Sequence, residues 1–382
     1  MLTAGRRFAL TYLTMPAPGS QTMDSIGPVR LLAQTGWLVY SLGGICLVLG
    51  LVGIWRQRKS WWPVAVALAL LLAGGFVYRF ASRSNAEYLF TTLHSPQFAT
   101  GTSDELPPET LVLGISMGGE TKAYPIRLVA YHHVVHDEVG GEPVAITYCT
   151  MCRSGRLYRP FADGRQLTFK TVAANRFNAV LEDQETRTWW YQASGRGAAG
   201  PLTGQELQAL PTDQLTLGRW LELHPESLVM QPDPDTGDWY QLYGFDEFDE
   251  RTPEQSAENG EQWEWVVVLL LDEGAIARPW TELTASRLLQ GERAGVAWAI
   301  HLDEDLASFR AWDRRIEGAP VVLTLDESGA LVDQASGSRF SMSGEAIDGP
   351  LAGTRLKRIQ ANQELRHSFE RFTGGELIEP TD

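Results

Sequence analysis

One stretch of this chain occurs twice. Residues Ser194 to Leu207 align without a gap on Ser343 to Leu356, and seven of the fourteen positions are identical. Among these are Gly200, Pro201, Leu202 and Gly204, matched by Gly349, Pro350, Leu351 and Gly353. Upstream, Asp183-Gln184 recurs as Asp333-Gln334. The apolar run before Gly118 and the following Ala123-Tyr124-Pro125 recur as Val266 to Leu271 and Ala277-Arg278-Pro279. Three matches in one order predict a duplicated unit. They limit the fold, because the packing that serves one copy has to serve the other. The expected lobes are 111–230 and 263–382. The stretch between them, 231–262, is acidic with scattered Pro and Gly, and reads as a linker or long loop.

Within the first lobe, Leu111 to Ile115 reads as a strand, Met117-Gly118-Gly119-Glu120 as a turn and Thr121 to Ile126 as the return strand. Arg127 to Val135 carries apolar residues at helical spacing. Gly140-Gly141 breaks that pattern, and Val144 to Tyr148 is an apolar strand leading into Cys149. The expectation is a strand-rich α+β fold in two similar lobes.

Two apolar stretches precede the lobes. Trp37 to Trp55 is uncharged, and Trp61 to Phe80 is apolar until Arg79. Each has about the 20 residues that a bilayer core requires, and tryptophans stand at their ends, where aromatic belts form. Two transmembrane helices are therefore expected within 37–80, after an N-terminal arm at 1–36 and before a polar linker at 81–110. Residues 1–20 lack the apolar run of a cleavable signal peptide. The connector from Arg56 to Ser60 has three cations in five residues, which favours its cytoplasmic placement. Residues 81–382 would then face the periplasm or the extracellular side. Of 32 basic and 47 acidic residues, seven and one fall within 1–80, which leaves 25 and 46 beyond it, a net charge of −21. Such a surface repels a nucleic-acid backbone and suits docking to cationic partners in a membrane complex.

Three of the seven histidines, His132, His133 and His136, fall within five residues. On a helix, His132 and His136 would share a face. The next element delivers Cys149 and Cys152, so imidazoles and thiols could meet. Neutral imidazoles and thiolates together match a zinc or copper ligand set. The same Cys-x-x-Cys spacing also suits a dithiol, in which one thiol resolves a mixed disulfide formed by the other. Arg153 and Arg156 would stabilise a thiolate. Gly155 and Pro160 do not fit the long helix that follows such a pair in a thioredoxin fold. Gly114-Ile115-Ser116-Met117-Gly118 matches the hydrolase pattern G-x-S-x-G, yet a turn and a strand follow where that elbow needs a helix. The second lobe has no cysteine in the corresponding strand, Val296 to His301, and no histidine around Glu282 to Leu289. The shared Gly/Pro/Leu pattern therefore marks fold, and the His/Cys set marks a site confined to one lobe.

At these residues the chain resembles a family of unknown function, DUF3179, from about Leu111 to near Phe372. The likeness rests on Ala123-Tyr124-Pro125, Tyr131-His132 with Asp137, Gly140-Gly141, Tyr148-Cys149 with Cys152, and Trp189, Gln192, Gly195, Gly200-Pro201-Leu202 and Gly204. The resemblance carries over His132, Cys149 and Cys152. His133 and His136 depart from the acidic and Asn-like residues usual in the family. It implies a shared fold and site, and no particular reaction.

Three functions follow as expectations. The first is a copper or zinc site of Cys149, Cys152 and His132, with His136 as a further ligand and Tyr148 and Asp137 orienting the ligands from behind. The second is a thiol–disulfide oxidoreductase using Cys149 and Cys152 as its catalytic pair. The third is a non-enzymatic subunit of a membrane complex, with the cysteines as a staple.

Overall fold

The structure is a computed structural model that describes residues 2–21, 25–56, 61–103, 105–236, 240 and 263–378. Residues 57–60 of the expected connector and 237–239 and 241–262 of the expected linker lie outside them.

The chain begins with helices α1 (Leu2–Thr14), α2 (Ile26–Gln34), α3 (Gly36–Arg56), α4 (Trp62–Arg83) and α5 (Ala86–Leu89), then strand β1 (Phe98–Thr100). Next come β2 (Leu111–Met117), β3 (Glu120–Pro125), α6 (Ile126–His132), β4 (Val134–Val139), β5 (Glu142–Cys149) and β6 (Ser154–Arg159). Two-residue strands β7 (Phe161–Ala162) and β8 (Arg165–Gln166) lead to β9 (Phe169–Asn175), β10 (Asn178–Asp183), β11 (Trp189–Tyr191) and β12 (Gly197–Ala199). The first half ends with β13 (Gln208–Leu210), β14 (Asp213–Thr216), α7 (Leu217–Leu223) and β15 (Leu228–Met230).

The second half opens with β16 (Trp265–Leu271), β17 (Gly274–Pro279), α8 (Trp280–Ser286), β18 (Leu288–Arg293), β19 (Val296–Leu302) and β20 (Phe309–Asp313). Short strands β21 (Arg315–Ile316), β22 (Ala319–Pro320), β23 (Leu323–Leu325), β24 (Leu331–Asp333) and β25 (Arg339–Phe340) follow. It closes with β26 (Lys357–Leu365), α9 (Arg366–Ser368), a π-helical turn (Phe369–Thr373) and β27 (Glu376–Leu377). The fold is strand-rich α+β with several sheets, as expected.

Two compact units form. One comprises residues 1–92, 162–192 and 196–206. In it, Leu10 of α1 and Ile26 and Val29 of α2 bury against Ala173, Val180 and Trp189 of the β12-β11-β10-β9 sheet. The expected N-terminal arm is thus largely helical. Among the described residues, α4 is long and apolar enough to cross a membrane. Ile26–Gln34 and Gly36–Gly50, bent by 50° at their junction, meet the same criterion together.

The other unit comprises residues 93–161, 193–195 and 207–382. Its largest sheet runs β1-β15-β3-β2-β14-β20-β26-β16-β17-β27, with β19 and β18 continuing from β20. The β2–β3 turn has Gly118 at φ 59° and Gly119 at φ 83°, the backbone of a two-residue hairpin. It packs on a second such turn. A Cβ on Gly140 would lie 2.3 Å from the Met117 carbonyl oxygen.

Pairings of the first half recur in the second. Val112 faces Pro125 across β2–β3, and Val266 faces Pro279 across β16–β17. Tyr148 N–H donates to the His133 carbonyl, and Leu302 N–H donates to that of Arg287. Both helix-ending residues, His133 at φ 60° and Arg287 at φ 58°, are left-handed. Leu210 faces Leu157, and Ile359 faces Ala311. Where β26 runs unbroken, the first half has β13 and β14 on either side of Pro211, which has no N–H for a ladder. As a result β13-β6-β5-β4 form a separate sheet.

The apolar run Arg127 to Val135 is not one helix. The helix stops at His132 and a strand starts at Val134, because His133 turns left-handed. His132 and His136 therefore lie on different elements and share no helical face. Ser116 sits on β2 opposite Thr121, with no helix after it, so the G-x-S-x-G match is not an elbow.

Candidate functional site

Strand β5 runs through the core and ends at Cys149, which faces Ser154 at the start of β6. The four-residue turn between them holds Cys152. Both cysteines are wholly buried. Within the turn, the Cys152 N–H points at Cys149 Sγ at 3.3 Å. The Cys152 carbonyl accepts the Leu365 N–H at 2.9 Å, which ties the turn to the end of β26.

Behind the turn stands Arg156, 5% exposed. It donates to the Ala193 carbonyl through Nε at 3.0 Å, to the Gly155 carbonyl through Nη1 at 3.0 Å, and to Glu364 Oε1 through Nη2 at 2.9 Å. Glu364 has no exposed surface. Its other oxygen accepts from Ser368 Oγ at 2.7 Å. Burial works to lower the Arg156 pKa. The Glu364 carboxylate and, less strongly, Tyr158 and Cys152 outweigh that and hold it above its usual value.

His132 ends α6 and is wholly buried. Its Nε2 lies 2.7 Å from Tyr240 Oη, and Tyr240 Oη also accepts the Asp233 N–H at 3.1 Å. Burial raises the Tyr240 pKa, so the phenol keeps its proton, and which of the two groups donates follows from the His132 tautomer. The Tyr148–His133 backbone bond sets His132 and His133 alongside Tyr148 and Cys149. Burial pushes His133 down to about 4. Tyr148 is buried in the core of this half.

The other sequence-predicted residues lie elsewhere. His136 faces Ala145, four residues along β5 from Cys149, about 13 Å at strand rise. Its ring stacks on His94, with centroids 5.2 Å apart and planes 5° apart. Asp137 accepts from Tyr124 Oη at 2.6 Å and from Lys122 Nζ at 3.0 Å, which orients β3 against β4. Burial and the Asp137 charge hold the Tyr124 phenol well above its ordinary value. Among the described residues, no group of three or more His, Cys, Asp or Glu side chains is arranged to hold a metal ion.

Glu364 and Tyr240 were not anticipated. Glu364 meets Arg156 across 208 positions, and no local pattern reports such a pair. Tyr240 meets His132 across 108 positions, and it is one of several aromatics in its acidic stretch, so nothing local singles it out.

A strand-rich α+β scaffold with a buried Cys-x-x-Cys turn braced by an internal ion pair defines the class. The family model for DUF3179, a protein family of unknown function, matches residues 91–375. The chain belongs to that family. No curated protein and no solved structure matches it.

Proposed function

We propose that this chain is a membrane-anchored, duplicated fold whose first half works as a thiol–disulfide exchange couple through Cys149 and Cys152. The observation that carries the reading is the Cys152 N–H aimed at Cys149 Sγ, in a turn that lies by the Arg156 cation. An amide proton at one sulfur and the Arg156 charge beyond the turn work for the thiolate, against the burial of both sulfurs. Cys149 thiolate attacks a disulfide on a partner molecule and releases one partner thiolate. Cys152 thiolate then attacks Cys149 Sγ of the mixed disulfide and releases the second. The partner disulfide gains two electrons and two protons, and the protein dithiol becomes a disulfide. Because both sulfurs are buried, exchange requires the turn to open, which includes breaking the Leu365–Cys152 backbone bond.

Support for the anchor comes from α4 and the bent α2–α3 pair. With the basic connector cytoplasmic, residues 81–382 face a compartment where disulfides form. Support for duplication comes from the sequence repeat together with the recurrent pairings of both halves.

A second reading is a copper or zinc site of Cys149, Cys152 and His132. Complete burial of both sulfurs favours it, since a bare ion reaches such a pair more easily than a protein disulfide does. His132 would have to face the ion with a ring nitrogen that carries no proton.

The test is trapping in the full-length chain. Cys152→Ser is expected to accumulate a reductant-sensitive mixed disulfide at Cys149, and Cys149→Ser is not. Absence of any adduct, with both thiols inert to alkylation in the native protein, would overturn the exchange reading. Stoichiometric copper or zinc lost on Cys149→Ser would replace it with the metal reading.

A further inference from the structure

A cleft of about 180 Å³ lies between α1, the end of α2, α5 and strands β9 to β11. Arg6 and Arg7 of α1 line it, with Glu87 of α5, Glu182 of β10 and Arg187. Lys170 pairs with Glu87 and lies 3.6 Å from Glu182, which Arg187 also meets at 3.0 Å. Both carboxylates are thus matched by cations. Arg6 and Arg7, both half-buried, have no such match. The carbonyls of Leu32 and Ala33 hold the Arg6 guanidinium through Nε and Nη2, and among the described residues neither arginine meets a carboxylate. Two adjacent guanidinium charges lining one cleft without a counter-ion attract an anion.

The cleft sits at the ends of the apolar helices that lie away from the 57–60 connector. Arg6 bonds to residues just ahead of α3, and its guanidinium stands over the Tyr40 ring at 5.9 Å. One turn beyond Arg7, about 6 Å along the helix, Thr11 Oγ1 donates to the Ala81 carbonyl at 2.9 Å, two residues before α4 ends. On the deeper side of the arginines, Trp37, Tyr40 and Leu42 of α3 and Phe76 and Phe80 of α4 are exposed. On the other side the chain passes from Ala81 to Glu87 within six residues. Glu87 accepts from Lys170 at Oε1, and its Oε2 accepts no hydrogen bond among the described residues. Apolar surface, arginine pair and free acceptor therefore follow one another in the order of acyl chain, phosphate and hydroxyl-bearing headgroup.

We infer that this cleft binds the phosphodiester of one anionic phospholipid. Arg6 and Arg7 take the phosphate, Glu87 accepts from a headgroup hydroxyl, and the acyl chains lie along α3 and α4. Charge selects a lipid of net negative charge, since a zwitterionic headgroup would bring a further cation to a cleft whose carboxylates are already matched. This site rests on the reading of α3 and α4 as a membrane anchor and is independent of the thiol reading.

The experiment takes the full-length chain in dodecyl maltoside, stripped of lipid, and follows its Tm. The probes are short-chain phosphatidylglycerol, phosphatidylcholine of the same chain length, and inorganic phosphate. Phosphatidylglycerol is expected to raise Tm saturably and at lower concentration than phosphatidylcholine, and inorganic phosphate is expected to do nothing. Arg7→Gln breaks no hydrogen bond among the described residues and is expected to weaken phosphatidylglycerol about fivefold. Adding Arg6→Gln is expected to bring the loss to at least about tenfold. If the double variant does not fold, Arg7→Gln carries the test. An equal response to both lipids, or an unchanged response in Arg7→Gln, overturns the inference and leaves the anchor standing. Inorganic phosphate that matches phosphatidylglycerol overturns the lipid and makes this a free-phosphate site. A chain that stays in solution without detergent overturns the anchor itself, and this site with it.

Discussion

The turn that follows β5 and the turn that follows β19 rest on equivalent strands and differ in their chemistry. In the first, Cys149 faces Ser154, and its sulfur receives the amide of Cys152. In the second, Asp303 donates its amide to Ser308, and its own carbonyl receives the amide of Leu306. Asp303 stands where Cys149 does and forms an ion pair with Arg219. Leu306, in the place of Cys152, is 52% exposed. Two residues beyond each serine comes a buried arginine bound to a carboxylate, Arg156 to Glu364 and Arg310 to Asp213. Each arginine reaches a strand of the opposite half. If the two halves are copies of one unit, as proposed, the arginines belong to the scaffold that they share, and the sulfurs are what the first half alone adds. The Arg156 cation stabilises the fold and lies near Cys152 at once, and that coincidence gives the thiol proposal its electrostatics.

The largest effects follow from breaking the ion pairs. Removing one partner of a buried pair leaves an uncompensated charge, at a cost of about 3–5 kcal/mol. Glu364→Ala and Asp213→Ala are both expected to destabilise by that amount. Asp213→Ala falls at the upper end, because Arg358 also pairs with Asp213 at 2.7 Å. Denaturant unfolding of the two variants checks this. If only Glu364→Ala is costly, the arginines are not a shared feature, and the equivalence of the halves fails there.

A second comparison concerns buried imidazoles. His133 in the first half and His301 and His367 in the second are each pushed by burial from 6.5 to about 4. Above pH 6.5 these groups are neutral in both folded and unfolded chains and contribute nothing. As pH falls from 6.5 towards 4, the unfolded chain takes up protons that the folded chain refuses, so stability drops. Below about 4 the loss levels off, at roughly 3 kcal/mol for each group. His133→Asn is expected to flatten part of this slope while keeping the left-handed backbone, which Asn tolerates. Midpoints of urea unfolding at pH 7, 5.5 and 4.5 give the readout. An unchanged slope would mean that His133 is protonated in the folded chain.

Sequence patterns made the hairpins legible because a two-residue turn is a local event. Gly118-Gly119 and Gly140-Gly141 demand positive φ. The end of α6 was hidden, since the apolar spacing continues past His132 while the decisive event is the left-handed turn at His133. Pro211 carried a visible cue, yet its consequence, two sheets in one half and a merged sheet in the other, emerges only when strands pair. Helix α1 was missed because its apolar face is recognised by Ala173, Val180 and Trp189, far along the chain. The pair Cys149 and Cys152 was legible from spacing alone. The Arg156–Glu364 pair beside it and the Tyr240 partner of His132 were not, because tertiary pairing over a hundred or more residues leaves no local mark.

The smallest stability effect should come from the cysteines themselves, and it decides what they are for. If the sulfurs are an addition to a scaffold that stands without them, the double variant Cys149→Ala/Cys152→Ala loses only the packing of two small buried groups, about 1 kcal/mol each. The second half makes the case, since it keeps the same strands with Asp303 and Leu306 at these positions. Such a variant should retain its near-ultraviolet circular dichroism and unfold cooperatively at slightly lower denaturant, while losing all thiol exchange. A loss several-fold larger, or a failure to fold, would mean that the pair acts as a staple in the first half. The contrast between the two turns would then be one of structural solutions, and the thiol proposal would lose its footing.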